Sequence, residues 1–216
     1  MDFSLILSQL GDGFIRSVGI FFWTLLLSLP LGLLISFGRM SRNRVLRMIS
    51  SFYISVMRGT PLMLQLLCVY NLPWIVFGIQ LSSEWRFYAV IIGFTINYAA
   101  YFAEIYRSGI QSMPVGQYEA AKVLGYSKQQ TFIKIILPQV LKRILPSVTN
   151  EVITLVKDTS LAFAIAYGEM FSAAKQLVAK YSSITALLVA GLFYYLFNLL
   201  VALLMNALEK RMNYYR

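Results

Sequence analysis

The sequence predicts an all-α, polytopic transmembrane protein of five membrane helices, and three observations carry that prediction. Of its 216 residues, 58% are hydrophobic and only 13% are charged, where ordinary soluble domains are about half apolar and about a quarter charged. Mean hydropathy is +0.67. The apolar residues fall into five runs long enough to cross a hydrocarbon core, and the basic residues collect between them. A net charge of +10 in a soluble chain would point to nucleic acid. Here the positive-inside rule accounts for it, and no nucleic-acid partner is expected.

Several function classes are excluded early. The one cysteine, Cys68, lies inside an apolar run and allows no disulfide within the chain. Histidine is absent, which removes histidine-ligated metals and most hydrolytic triads, so no catalytic residue and no metal ligand is expected. No GxxxxGK[ST] phosphate loop occurs; if ATP is used, another polypeptide hydrolyses it. The start, Met1-Asp2-Phe3-Ser4, is acidic and lacks a cleavage site, unlike a secretory signal.

The first span is expected at about 13–38, with Pro30 and Gly32 tolerated inside it. A basic loop follows, carrying Arg39, Arg42, Arg44 and Arg47 with no acid. The second span runs about 49–77, where Arg58-Gly59-Thr60-Pro61 supplies a bend. Trp74 and Trp85 are interfacial anchors around the next loop. The third span is about 87–106, the fourth about 147–171 and the fifth about 184–208, all in a single domain spanning 1–216. The two internal loops and the tail hold thirteen basic residues, and the outer loops hold only Arg86, Lys175 and Lys180. That places the N-terminus outside and the C-terminus in the cytoplasm.

Residues 107–146 form the longest polar interval. Residues 117–124 suit about two helical turns that Gly125 ends. Ser127 and Gln130 then make a capping box. Ile133, Ile136, Leu137, Val140, Leu141 and Ile144 follow at helical spacing, with Lys128, Lys134, Lys142 and Arg143 on other faces. The result is a basic amphipathic segment lying against membrane or protein.

Polar side chains within a span are expensive, about 2.5–3.5 kcal/mol for a charge at mid-depth. The fourth span nevertheless carries Ser147, Asn150, Glu151, Thr154, Lys157 and Asp158 on one broad face. Asn97, Tyr101, Glu104 and Ser108 repeat the pattern in the third span, and Arg58 and Gln65 lie two turns apart in the second. Three such stripes can enclose a wet cavity near the midplane. The alternative for Arg58, Glu104 and Arg107 is an internal salt-bridge set, for instance Glu104 with Arg107 at i, i+3.

Glu119-Ala120-Ala121, Gly125 four residues after the second alanine, and Ile136-Leu137-Pro138 resemble the EAA loop of ABC-importer permeases. RGTPLMLQ at 58–65, AEIYRSGIQSMPVGQYEAA around Glu104, and NEVITLVKDTSL at 150–161 are similar to the polar-amino-acid branch of type I ABC importers, the histidine/glutamine/arginine permease family. The likeness runs from the first span to the fifth. It implies the type I ABC importer permease fold. It also implies a prokaryotic cell-membrane location, a second permease subunit, expected to be identical, two copies of an ABC ATPase that bind ATP and magnesium, and an extracytoplasmic amino-acid-binding protein.

Within that resemblance the short helix at Gln117, Glu119, Ala120, Ala121, Leu124 and Gly125 is the coupling helix, docking on the ATPase. NEVI at 150–153 is similar to the branch carrying histidine, lysine and arginine. Glu151 and Asp158 against Lys157 leave one net negative charge on the stripe, which agrees. Glu151, with or without Asp158, is expected to hold the side-chain cation. Asn97, Tyr98, Thr159 or Arg58 would meet the α-amino and α-carboxylate groups, with Thr60 and Glu104 beside them. For Asp158 a packing or gating role stands as the alternative. A secondary transporter or channel would show inverted repeats or charged rings, and a membrane-embedded enzyme would show a nucleophile–base pair; neither pattern occurs.

Overall fold

The computed structural model describes residues 3–212, which are helical and contain no strand. Nine helices follow one another: α1 (Phe3–Arg39), α2 (Arg44–Gly59), α3 (Leu62–Phe77), α4 (Trp85–Gln111), α5 (Val115–Val123), α6 (Lys128–Thr131), α7 (Leu137–Asp158), α8 (Met170–Tyr181) and α9 (Thr185–Met212). Three segments are long and apolar enough to cross a membrane: Ile6–Arg39, Trp85–Gln111 and Thr185–Met212. The pair α2 and α3 makes a fourth if taken together, but its axes differ by 112°. The anticipated bend at Gly59-Thr60-Pro61 is therefore a true break.

The helix α4 is the central post, with Val90, Phe94, Tyr98 and Phe102 fully or almost fully buried. Against it lies α1, presenting a buried stripe of small residues at Thr24, Ser28, Gly32 and Ser36, each four residues on. Helices in lipid gain little from hydrophobicity against one another, so close backbone approach through small side chains does the packing. At Gly32 the approach is close: an added Cβ would sit 2.9 Å from both the Ala99 carbonyl oxygen and Phe102 Cβ. The Ser36 hydroxyl donates back to the Leu33 carbonyl at 2.7 Å, remaining bonded within its own helix.

The boundaries of the later elements differ from the sequence expectation, for identifiable reasons. The capping box at Ser127 forms as expected: Gln130 N donates to Ser127 Oγ at 3.2 Å and Ser127 N to Gln130 Oε1 at 2.9 Å. The helix begun there does not stop before Ser147. It passes through one π turn at Phe132–Ile136 and continues as α7. That turn immediately precedes Pro138, which lacks an N–H and crowds the preceding carbonyls, so an extra residue in the turn absorbs the mismatch. Nor does the helix reach Phe171. It ends at Asp158, tightens into a 3₁₀ segment, Thr159–Ile165, and reverses at Ala166, whose φ is +54°. Pro146 lies inside α7 without ending it.

Beyond that reversal Glu169 caps α8. Its carboxylate accepts from Phe171 N and Ser172 N, both at 2.7 Å, and from the Tyr194 hydroxyl of α9 at 3.0 Å. The adjacent Met170 N donates to Ser17 Oγ of α1 at 3.3 Å. This fully buried acid ties together three elements that the sequence patterns do not connect.

Gly32→Ala is expected to lower the unfolding temperature of the purified protein, on the overpacking scale of about 1–3 kcal/mol. Gly19→Ala, where an added Cβ meets nothing within 4 Å, is expected to leave it unchanged or raise it. Ser127→Ala should cost about 1 kcal/mol locally, read as faster amide exchange over the turn that follows.

Candidate functional site: a carboxylate-walled cavity and an exposed short helix

The site begins at the break between α2 and α3. Ending α2 at Gly59 leaves carbonyls without helical partners, and the side chains of Gln65 and Asn97 take them. Gln65 Nε2 donates to the Met57 carbonyl at 2.9 Å, the Thr60 carbonyl at 3.1 Å and Thr60 Oγ1 at 2.7 Å. Asn97 Nδ2 donates to the Met57 carbonyl at 3.1 Å and to Gln65 Oε1 at 2.9 Å. Both amide hydrogens of Asn97 are thereby used, which leaves its Oδ1 as the atom able to accept from a guest.

Beside the break is a cavity of about 410 Å3, within the roughly 300–1,000 Å3 range of small-molecule sites. Thr60, Pro61 and Leu62 form one wall, Asn97, Tyr98 and Tyr101 of α4 a second, and Glu151, Thr154, Asp158 and Leu161 a third. The Tyr98 hydroxyl donates to Asp158 Oδ2 at 2.7 Å, joining α4 to α7. Two carboxylates thus face one space. The Arg58 guanidinium carbon lies 5.4 Å from the Tyr101 ring centroid, a cation–π contact, and its charge reaches Glu104 and Glu151.

Of the residues singled out from sequence, Thr60, Asn97, Tyr98, Glu151 and Asp158 line this cavity. Arg58 stands behind Tyr101. Thr159 is fully buried, its hydroxyl donating to the Val156 carbonyl at 2.8 Å, and is not in the wall. Glu104 is held by Arg107 in an i, i+3 ion pair, with Arg107 Nε 3.0 Å from Glu104 Oε2, and is not in the wall either. Tyr101 and Thr154 of the polar stripes also line the cavity. Their spacing, four residues from Asn97 and three from Glu151, is the signal that selects them. Gln65, of the stripe in the second span, is not in the wall; it supports the break beside it.

The second candidate surface is α5 and the turn after it. Gly125 adopts φ +78°, as a residue just past a helix end does, and Tyr126 N donates to the Ala121 carbonyl at 3.0 Å. Ala121 is buried, and Gln117 faces inward, accepting from Gln139 Nε2 at 3.0 Å. Glu119, Ala120, Leu124 and Gly125 face out. Val123 is 87% and Leu124 73% exposed, apolar side chains at the end of a short polar helix. Arg143 of α7 donates to the Ser112 carbonyl at 2.8 Å, so α7 holds both ends of this segment's base.

Comparison with known proteins identifies the family. Residues 28–214 match the binding-protein-dependent transport system inner membrane component family. The chain is 35% identical to the arginine transport system permease protein ArtQ of Bacillus subtilis (strain 168), covering 98% of this chain and 97% of that protein. It is 33% identical to the L-cystine transport system permease protein TcyB of the same organism, covering 95% and 87%. Among solved structures, the crystal structure of an amino acid ABC transporter with histidines superposes with a TM-score of 0.86 at 30% identity, covering 98% of this chain and 99% of that one. The chain belongs to the binding-protein-dependent transport system inner membrane component family, and is a permease subunit of an amino acid ABC importer rather than an enzyme.

Proposed function

We propose that this permease carries a basic amino acid, arginine, histidine or lysine, and that the cavity between α4 and α7 is its binding site. The observation that carries this reading is the pair of carboxylates, Glu151 and Asp158, facing a space of amino-acid size. Relatives named for arginine and for cystine match at comparable identity, so support for the substrate comes from the charges in the wall. Glu151 offers two oxygens to a guanidinium or ammonium, the strongest class of hydrogen-bonded ion pair. Asp158, already accepting from Tyr98, adds field and one free oxygen. Asn97 Oδ1 accepts from the α-ammonium and Thr60 meets the α-carboxylate, with Arg58 adding positive charge from behind Tyr101. Thr159 and Glu104 act from behind the wall, the first packing the turn beside Asp158 and the second balancing Arg58.

In the same reading five spans cross the membrane, with the N-terminus outside and the C-terminus in the cytoplasm. Two identical permeases pair, two ATPase subunits bind ATP and magnesium, and a binding protein delivers substrate outside. The helix α5 is the coupling helix: Glu119, Ala120 and Leu124 dock on the ATPase, while Gln117 and Ala121 anchor the helix to the permease, and nucleotide-driven closure rocks the spans between outward and inward openings.

Glu151→Gln is expected to lower basic amino acid uptake into proteoliposomes, and substrate-stimulated ATP turnover, by about 30-fold or more, the scale of removing one member of a buried charge pair. Uptake of arginine with undiminished stimulation would refute the assignment. A Glu119→Arg, Gly125→Leu double variant should lose the co-expressed ATPase on purification while still binding labelled amino acid. Retention of a fully active complex would show that the coupling contact lies elsewhere.

A further inference from the structure

Every residue from Arg42 to Ile49 is exposed, although α2 is a well-formed helix whose N-terminus Asn43 caps by accepting from Val45 N at 2.9 Å. Val45, Met48, Ile49 and Phe52, at i, i+3, i+4 and i+7, form one outward apolar stripe with exposures of 60–73%. Arg44 borders that stripe on its Met48 side, Arg47 lies farther round the helix on the same side, and Arg42 stands just before the helix. Among the described residues the one ion pair is Arg107 with Glu104, so these three arginines face no carboxylate. Only further along does α2 engage the fold, through Ile54 packed beside Ala100 and Ala103, and through the Tyr53 hydroxyl donating to the Ile96 carbonyl.

An apolar stripe edged by unpaired cations fits a surface that is hydrocarbon on one side and anionic on the other. A second copy of the chain meeting this patch symmetrically would set arginines against arginines with no acid between them. We propose that Arg42, Arg44 and Arg47, with the stripe Val45–Phe52 between lipid tails, form a binding site for anionic phospholipid headgroups of the cytoplasmic leaflet. The inference rests on the cytoplasmic placement of this segment given above. The other end of the same 16-residue helix is Gly59, one residue before the cavity wall at Thr60.

The test uses the permease co-purified with its ATPase and reconstituted in phosphatidylcholine nanodiscs with and without phosphatidylglycerol. Retained phosphatidylglycerol is counted by native mass spectrometry. The wild type is expected to retain it and the R42Q/R44Q/R47Q variant to bind it about tenfold or more weakly, given the contribution of each cation near an anionic surface. R42K/R44K/R47K, which keeps the charge, and the control K210Q/R211Q, which removes charge elsewhere on the same side, are both expected to retain it. Equal retention by wild type and the glutamine variant would overturn the proposal, as would an equal loss in the control, or loss of the ATPase with the lipid still bound. Substrate-stimulated ATP turnover, followed on the same wild-type samples, separates the two readings: its absence would sink the transport assignment and leave lipid retention standing.

Discussion

Inside a bilayer no water is available to satisfy a backbone carbonyl, so a helix can break there only where other groups take over its hydrogen bonds. The junction of α2 and α3 meets that condition with two side-chain amides. Gln65 and Asn97 cover the carbonyls of Met57 and Thr60 and bond to each other. Because they do, α2 and α3 diverge by 112° and open a gap against α4 and α7. Without those bonds the chain would either pull straight and close the gap, or leave polar atoms bare in hydrocarbon, each unsatisfied group costing several kcal/mol. The cavity is thus a by-product of how the break is satisfied, and its polarity is that of the atoms left over.

Those amides are useful only if α4 is fixed, and the stripe of small residues on α1 fixes it. Contact at Gly32 is close enough that the Ala99 carbonyl and Phe102 Cβ admit no methyl group. On the far side the Tyr98–Asp158 bond joins α4 to α7, and at the opposite end of the fold Glu169 gathers α1, α8 and α9. The central post is thereby held on both sides. The tip of α5 and the first turns of α2 lie outside this packing and remain exposed.

Much of this is legible in the residues and some of it is not. Local chemistry reads well: Ser127 with Gln130 specifies a capping box, and Gly125 specifies a left-handed stop, because each is decided by neighbours in sequence. The polar stripes read well too, since an i, i+3, i+4 spacing fixes which side chains share a face; Asn97, Tyr98, Glu151 and Asp158 do line one space. What fails is whatever depends on packing. Pro146 has the appearance of a boundary and is not one, while Pro138 acts through the π turn preceding it. Thr159 belongs to the polar string by position, yet the change from α to 3₁₀ geometry after Asp158 turns it into the interior. Glu104 has a local partner that removes it from the cavity wall. Glu169 has a local role as the cap of α8, but its bond to Tyr194 exists only when α9 arrives beside it.

The helix α7 is continuous from Leu137 to Asp158. Because Pro146 does not interrupt it, the rod from Leu137, next to the α5 segment, to Asp158, in the cavity wall, is a single lever about 32 Å long at 1.5 Å per residue. A tilt of about 10° pivoting at the inner end would carry the Asp158 carboxylate roughly 5 Å, from the same helical rise. Glu151, lying nearer the fulcrum, would travel about two-thirds as far. The two acids would then separate from Asn97 by unequal amounts. A guest gripped by all three could not stay gripped through the stroke, and release would be a matter of mechanics as much as of affinity.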